Sequence, residues 1–163
     1  MSRLGLALSV AVLACASCAL NSPTSQEYLS ITQTSDKGIP NGTSLASEYL
    51  DWLEPTDDPL YGFIPEKPIL IGGYLEGRGG TWTAQYFSSI LGPNGEQSKF
   101  ERVGTCCAFR LEDKRLLDAG RSAGLLDVYE LVIPSTGMSK KVYVSIYEEG
   151  DIYILNGYTG RSK

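Results

Sequence analysis

The sequence predicts an α+β fold: a single antiparallel β-sheet of four to five strands with one principal helix packed on it. Three observations carry this. Residues 81–91 repeat apolar side chains at helical spacing, with Trp82, Tyr86, Phe87, Ile90 and Leu91 on one face, and they end in the helix stop Gly92-Pro93. From Ser98 onward the signals are those of strands, in runs 99–109, 125–133, 141–147 and 151–155 separated by Gly, Pro and Ser clusters. The helical and strand patterns are also segregated along the chain instead of alternating, which favours α+β over α/β.

Residues 1–17 come first in chain order. A basic start at Arg3, an apolar run over 4–13 and a small-residue end form an export signal, too short for a spanning helix of about 20 apolar residues. Cys18 follows Ala16-Ser17, and Cys15 follows Leu13-Ala14. This arrangement resembles a bacterial lipoprotein signal, in which a cysteine after a small-residue stretch is acylated and becomes the mature N-terminus. Cys18 fits that role better than Cys15, because Leu13 is bulky where a small residue is usual. Residues 18–44 are rich in Ser, Thr, Gly, Asn and Pro without an apolar period, so they are expected to form a flexible tether. The single globular domain is expected over 45–163.

Within that domain, Leu45, Tyr49, Trp52 and Leu53 fall on one face of a short helix that Ser44 caps and Pro55 stops. Residues 56–68 hold three prolines and read as irregular, leading to a short buried strand at Ile69-Leu70-Ile71 before Gly72-Gly73. Thr81 is the expected cap of the main helix. In the run 141–147, Val142, Val144 and Ile146 alternate with Tyr143, Ser145 and Tyr147, which predicts a core face and a wetter tyrosine face. Residues 111–124 suit a helical turn or a long connection equally.

Composition removes several chemistries. The chain has 163 residues, 14 Lys plus Arg against 19 Asp plus Glu, a net charge of -5 and no histidine. No Ser-His-Asp or Cys-His pair, His-ligated zinc or imidazole proton shuttle is available to it. The acidic balance argues against a nucleic-acid surface built on phosphate neutralisation. No cofactor-binding motif is present. Residues 72–80 lead into a helix but lack the Walker ending and the Gly-x-Gly-x-x-Gly spacing, which leaves Arg78 at the helix start as a candidate anion contact. Glu148, Glu149 and Asp151 lack the spacing of a calcium loop and read as a solvated turn. Asp127 and Glu130 cannot be placed as a glycosidase pair from sequence, and Asp127 is expected to satisfy backbone groups beside a turn.

Cys106 and Cys107 are the most unusual pair. They read as buried thiols pointing to opposite faces of a strand, as a vicinal disulfide permitted by an oxidising compartment, or as a reactive thiol near Arg102 and Arg110. Two adjacent cysteines are too few and too close for a tetrahedral metal site, so no metal is expected.

Five segments taken together are similar to a family of small bacterial lipoproteins. They are Tyr61-Gly62-Phe63; Pro68-Ile69 with Gly72-Gly73; Gly92-Pro93-Asn94-Gly95-Glu96; Arg102-Val103-Gly104-Thr105-Cys106-Cys107-Ala108-Phe109; and Leu125-Leu126-Asp127-Val128-Tyr129. The similarity spans about residues 57–158. In this chain Thr105 and Ala108 replace the family's Ser and Pro, and 111–123 replaces a shorter Gly-rich stretch. Members of that family often carry the name 2-dehydro-3-deoxyphosphooctonate aldolase. That enzyme is a TIM barrel of roughly 250 residues, more than this chain supplies. The resemblance and the signal together imply an outer-membrane lipoprotein facing the periplasm, held to the membrane by its N-terminal lipid and meeting an envelope protein or ligand. The expected role is a non-enzymatic binding or structural accessory domain. The rivals are an envelope thiol or redox protein using Cys106 and Cys107, and an inhibitor or immunity protein against a secreted toxin.

Overall fold

The computed structural model describes residues 29–31, 50 and 53–161. The signal, Cys15, Cys18 and most of the expected first helix lie outside the described residues. Leu53, from the expected apolar face, and Leu50, which was not assigned to it, are buried in the main core.

The fold is α+β. Its elements run β1 (Ile69–Leu70), α1 (Gly79–Ser89), β2 (Ile90–Leu91), β3 (Lys99–Arg110), α2 (Lys114–Asp118), β4 (Ala123–Ile133), β5 (Met138–Ser145) and β6 (Thr159–Gly160). The principal sheet has the order β1-β5-β4-β3, and β2 and β6 form a second sheet of two strands. The expected single antiparallel sheet is therefore corrected on two counts. β1 pairs parallel to β5, Ile69 with Val144, which makes the sheet mixed. β2 and β6 pair antiparallel outside it. The parallel pairing follows from connectivity, because α1, β3 and β4 all intervene between β1 and β5 and no hairpin joins the two.

The main helix starts two residues before its expected Thr81 cap. Arg78 holds the N-cap position without a side-chain cap, and Thr83 Oγ1 donates to Gly79 O at 2.8 Å inside the first turn. The helix also stops two residues before the predicted Leu91. Ile90 and Leu91 become extended because Gly160 and Thr159 supply strand partners, and β-branched Ile90 is fully buried there. In the run 151–155 the sequence imitates a strand. Ile152 to Leu155 are all buried, yet the backbone pairs only through the isolated bridge of Ile154 with Pro55. Apolar continuity there reflects burial, and no neighbouring strand extends the ladder.

Two hydrophobic clusters cover the two faces of the sheet. The larger gathers Trp82, Tyr86 and Phe87 of α1 against Tyr129, Leu131, Val142 and Val144. Tyr86 donates its hydroxyl to Tyr153 O at 2.8 Å, so the deeply buried phenol is satisfied. The smaller gathers Phe109, Leu111, Leu116 and Leu126, with Leu29, Ile31, Tyr74, Cys106, Cys107, Tyr143 and Tyr147 packed on it. The tyrosine face expected to be wet is therefore half-buried, and Ser145 is wholly buried. The cause is the 111–124 insert, whose α2 places Leu116 over that face. Leu29 adds to the cover: it lies parallel to Phe109 and donates its N–H to Ala108 O at 3.0 Å, although it belongs to the stretch expected as a tether. No helix among the described residues is long and apolar enough to cross a membrane.

Candidate functional site

Cys106 and Cys107 are joined as a vicinal disulfide, with their Cα atoms 3.7 Å apart. The local backbone explains how two adjacent strand residues, which ordinarily point apart, meet. Cys106 pairs with Leu126 and Ala108 with Leu125, so Cys107 is an extra residue facing no partner: a β-bulge. Its φ is +57°, the only positive value at a non-glycine among the described residues. An L-residue held in this left-handed region costs about 1–2 kcal/mol, which the closed ring and the packing around it offset. Both cysteines are half-buried.

The bulge also sets the face on which the neighbouring side chains lie. Leu126 and Gly124, two residues apart on β4, share a face, and their register partners are Cys106 and Phe109. Those two are three residues apart on β3 and face the same way only because Cys107 is inserted. The disulfide therefore lies beside Phe109 in the smaller cluster. Around it stand Tyr74 and Tyr147, with ring centroids 4.7 Å apart, and Phe109 meets Tyr147 edge-on at 6.2 Å. The Arg121 guanidinium lies 4.7 Å from the Tyr74 ring centroid and 5.7 Å from that of Tyr147, close enough for cation–π attraction. Burial pushes the Tyr147 phenol up from its ordinary value, so it is a neutral hydrogen-bonding group at physiological pH. Gly124 leaves room for this stack: a Cβ there would lie 2.8 Å from Tyr147 Cδ2 and 3.0 Å from the Phe109 ring.

A disulfide carries no thiolate, so the joined sulfurs are neither nucleophile nor metal ligand. The chemistry open to them is two-electron thiol–disulfide exchange. Arg102, the cation nearest in sequence on the N-terminal side, is engaged by Asp127 at 2.8 Å. That ion pair corrects the expectation that Asp127 serves backbone groups beside a turn: Asp127 stands mid-strand, opposite Thr105 on β3.

The other residues singled out from sequence do not gather here. Arg78 stands at the start of α1 with its guanidinium 5.9 Å from the Trp82 ring centroid. Glu148 accepts from the Glu112 N–H, and Glu149 lies 3.8 Å from Arg115, so these two acids tie the turn after β5 to the α2 segment. Among the described residues no three His, Cys, Asp or Glu side chains converge as metal ligands would.

Sequence reasoning missed a cleft of about 700 Å³ where the end of α1 meets the start of β3. Lys99, Glu101, Glu130 and Val132 line it from the sheet, with Ser98 beneath and Arg161 at the side. Arg161 is oriented by Gln97 Oε1 at 2.6 Å, while the Ser98 hydroxyl is buried without a partner among the described residues. The volume falls in the range of small-molecule sites. The alternation of Lys99 and Glu101 was the available signal, but it is equally that of any solvated strand face. Nothing in the sequence brings Arg161, sixty residues later, beside it.

With the geometry in place, comparison with known proteins adds no relative: no family model, no curated protein and no solved structure matches the chain.

Proposed function

We propose that this chain is an exported, membrane-anchored envelope lipoprotein, acylated at Cys18, whose folded part is a non-enzymatic binding or structural accessory domain. The observation that carries the reading is the Cys106–Cys107 disulfide. Disulfides persist in oxidising compartments and are rare where glutathione keeps thiols reduced, so the bond supports the address read from residues 1–18. It also removes the thiolate that a nucleophilic cysteine enzyme would need, in a chain that has no histidine to act as its base. The mixed-charge cleft beside Lys99 and Glu130 supports binding as the role. Outer-membrane sorting belongs to the same proposal and rests on a resemblance to Gram-negative lipoprotein sorting, since Ala19 rather than Asp follows Cys18.

Fractionation of cells tests it. Wild-type protein is expected in the membrane fraction, Cys18→Ala in the soluble fraction, and Cys15→Ala still largely in the membrane. Membrane loss on Cys15→Ala with retention of Cys18→Ala would move the anchor to Cys15. Soluble wild-type protein carrying a fast-reacting thiol at Cys106 or Cys107 would replace the reading with a thiol enzyme.

A further inference from the structure

We propose that Cys106–Cys107 is a reversible modification site for a dithiol reductant, and that its reduction releases the N-terminal segment from the edge of β3. The inference rests on the anchored reading for its consequence alone; the release itself needs no lipid.

β3 is the outer strand of the sheet, and on its free side Leu29 forms a parallel bridge with Phe109 and donates its N–H to Ala108 O. Ala108 is the residue directly after the bulge. Carbonyls alternate in direction along a strand just as side chains do, so the extra residue Cys107 decides both that Ala108 O points outward and that Phe109 faces the smaller cluster. Leu29 and Ile31 pack on that same cluster, beside Cys106 and Cys107. One inserted residue therefore sets the hydrogen-bond acceptor and the apolar seat of the segment together.

The disulfide holds that insertion in place. Cysteine has no intrinsic preference for φ +57°, and the covalent link to Cys106 adds to the surrounding packing in holding it there. In the exchange, a thiolate of the dithiol attacks one sulfur and displaces the other, giving a mixed disulfide. The second thiol of the reductant then resolves it. Two electrons pass to the cysteine pair, each cysteine takes up a proton, and the dithiol leaves as a disulfide. The freed Cys107 returns to the β region, the bulge resolves, and the register shifts by one across Ala108 and Phe109. Ala108 O turns from the edge, Phe109 turns from the cluster, and Leu29 loses both contacts.

The consequence is one of reach. Between Cys18 and the docked Leu29 the chain spans at most about 40 Å, eleven residues at about 3.6 Å each. The next described residue held by the core is Leu50, so with Leu29 released the chain between the anchor and its first docked residue lengthens from eleven residues to 32. Reduction would let the domain work farther from its membrane.

The test is residue-resolved amide hydrogen exchange on the full mature chain, oxidised and after dithiothreitol, with the pair's state verified by alkylation mass. Reduction is expected to cut the protection of the Leu29 amide by about tenfold or more, while amides of β4 and β5 keep theirs. Two variants separate the bulge from the bond. Cys106→Ala with Cys107→Gly removes the sulfurs but accepts φ +57° freely, so Leu29 is expected to stay protected. Cys106→Ala with Cys107→Ala is expected to behave like the reduced protein. Unchanged Leu29 protection in verified dithiol protein would overturn the proposal, as would a pair that dithiothreitol cannot reduce in the folded chain, or loss of β4 and β5 protection together with Leu29. A failed anchor would show in fractionation and leave these exchange results untouched.

Discussion

Cys107 shows how a single backbone angle organises its surroundings. Its positive φ makes the bulge, and the bulge turns Cys106 and Phe109 to one face. Gly124 answers from the opposite strand, because the space its missing Cβ leaves is filled by Phe109 and Tyr147. Gly124→Ala is therefore expected to destabilise the fold by about 1–3 kcal/mol, as overpacking does, with a lowered urea midpoint and an unchanged slope. An unaffected midpoint would mean that the Tyr147 stack is loose. At this scale the sequence revealed the residues and concealed the geometry. Two adjacent cysteines on a strand read first as thiols on opposite faces, and only the pairing of Leu126 with Cys106 and Leu125 with Ala108 exposes the inserted residue. Asp127 was hidden for a related reason, since its partner Arg102 lies 25 residues away in sequence.

Elements were most legible where periodicity met a stop signal. α1 was found because five apolar residues repeat before Gly92-Pro93, yet its last two predicted residues belong to β2, since a tertiary partner at 159–160 outweighs local helix preference. β3, β4 and β5 were legible as strand runs between Gly, Pro and Ser clusters, with alternation in the last, but the parallel placement of β1 was not, because two residues carry no direction. The charged insert read as a helical turn or a connection holds α2. Asp113 caps it by accepting from the Arg115 N–H at 2.8 Å and pairs with the Arg115 guanidinium at 2.7 Å. The hydrogen bond from Arg115 holds the Asp113 carboxyl below its ordinary value. A depressed carboxylate contributes stability that is complete above the unfolded-state value, near 3.9, and is lost as pH falls through the folded value. The stability gap between wild type and Asp113→Ala is thus expected to hold at about pH 6 and to shrink below about pH 4. Denaturation midpoints across that range check it; a gap independent of pH would show that packing of Leu116, not the charge, holds α2 in place.

Across the whole molecule, both faces of one mixed sheet are covered, the larger core by α1 and the smaller by α2 with Leu29 and Ile31. The coarse class was legible, because α+β follows from the segregation of patterns. The second face was not, because its cover comes from a charged insert and from a Ser- and Thr-rich stretch whose single residue Leu29 supplies the edge contact. The cleft at Lys99 and Arg161 likewise exists only in three dimensions. The proposed export signal would place the chain where a vicinal disulfide survives, and that disulfide lies on the strand where Leu29 docks. The most direct test is the intact mass of mature protein purified from membranes, taken after thiol alkylation with and without prior reduction. The account predicts a chain that begins at an acylated Cys18, gains no alkyl group before reduction and gains two at Cys106 and Cys107 after it. An unlipidated chain, or one that alkylates at either cysteine without reductant, would contradict it.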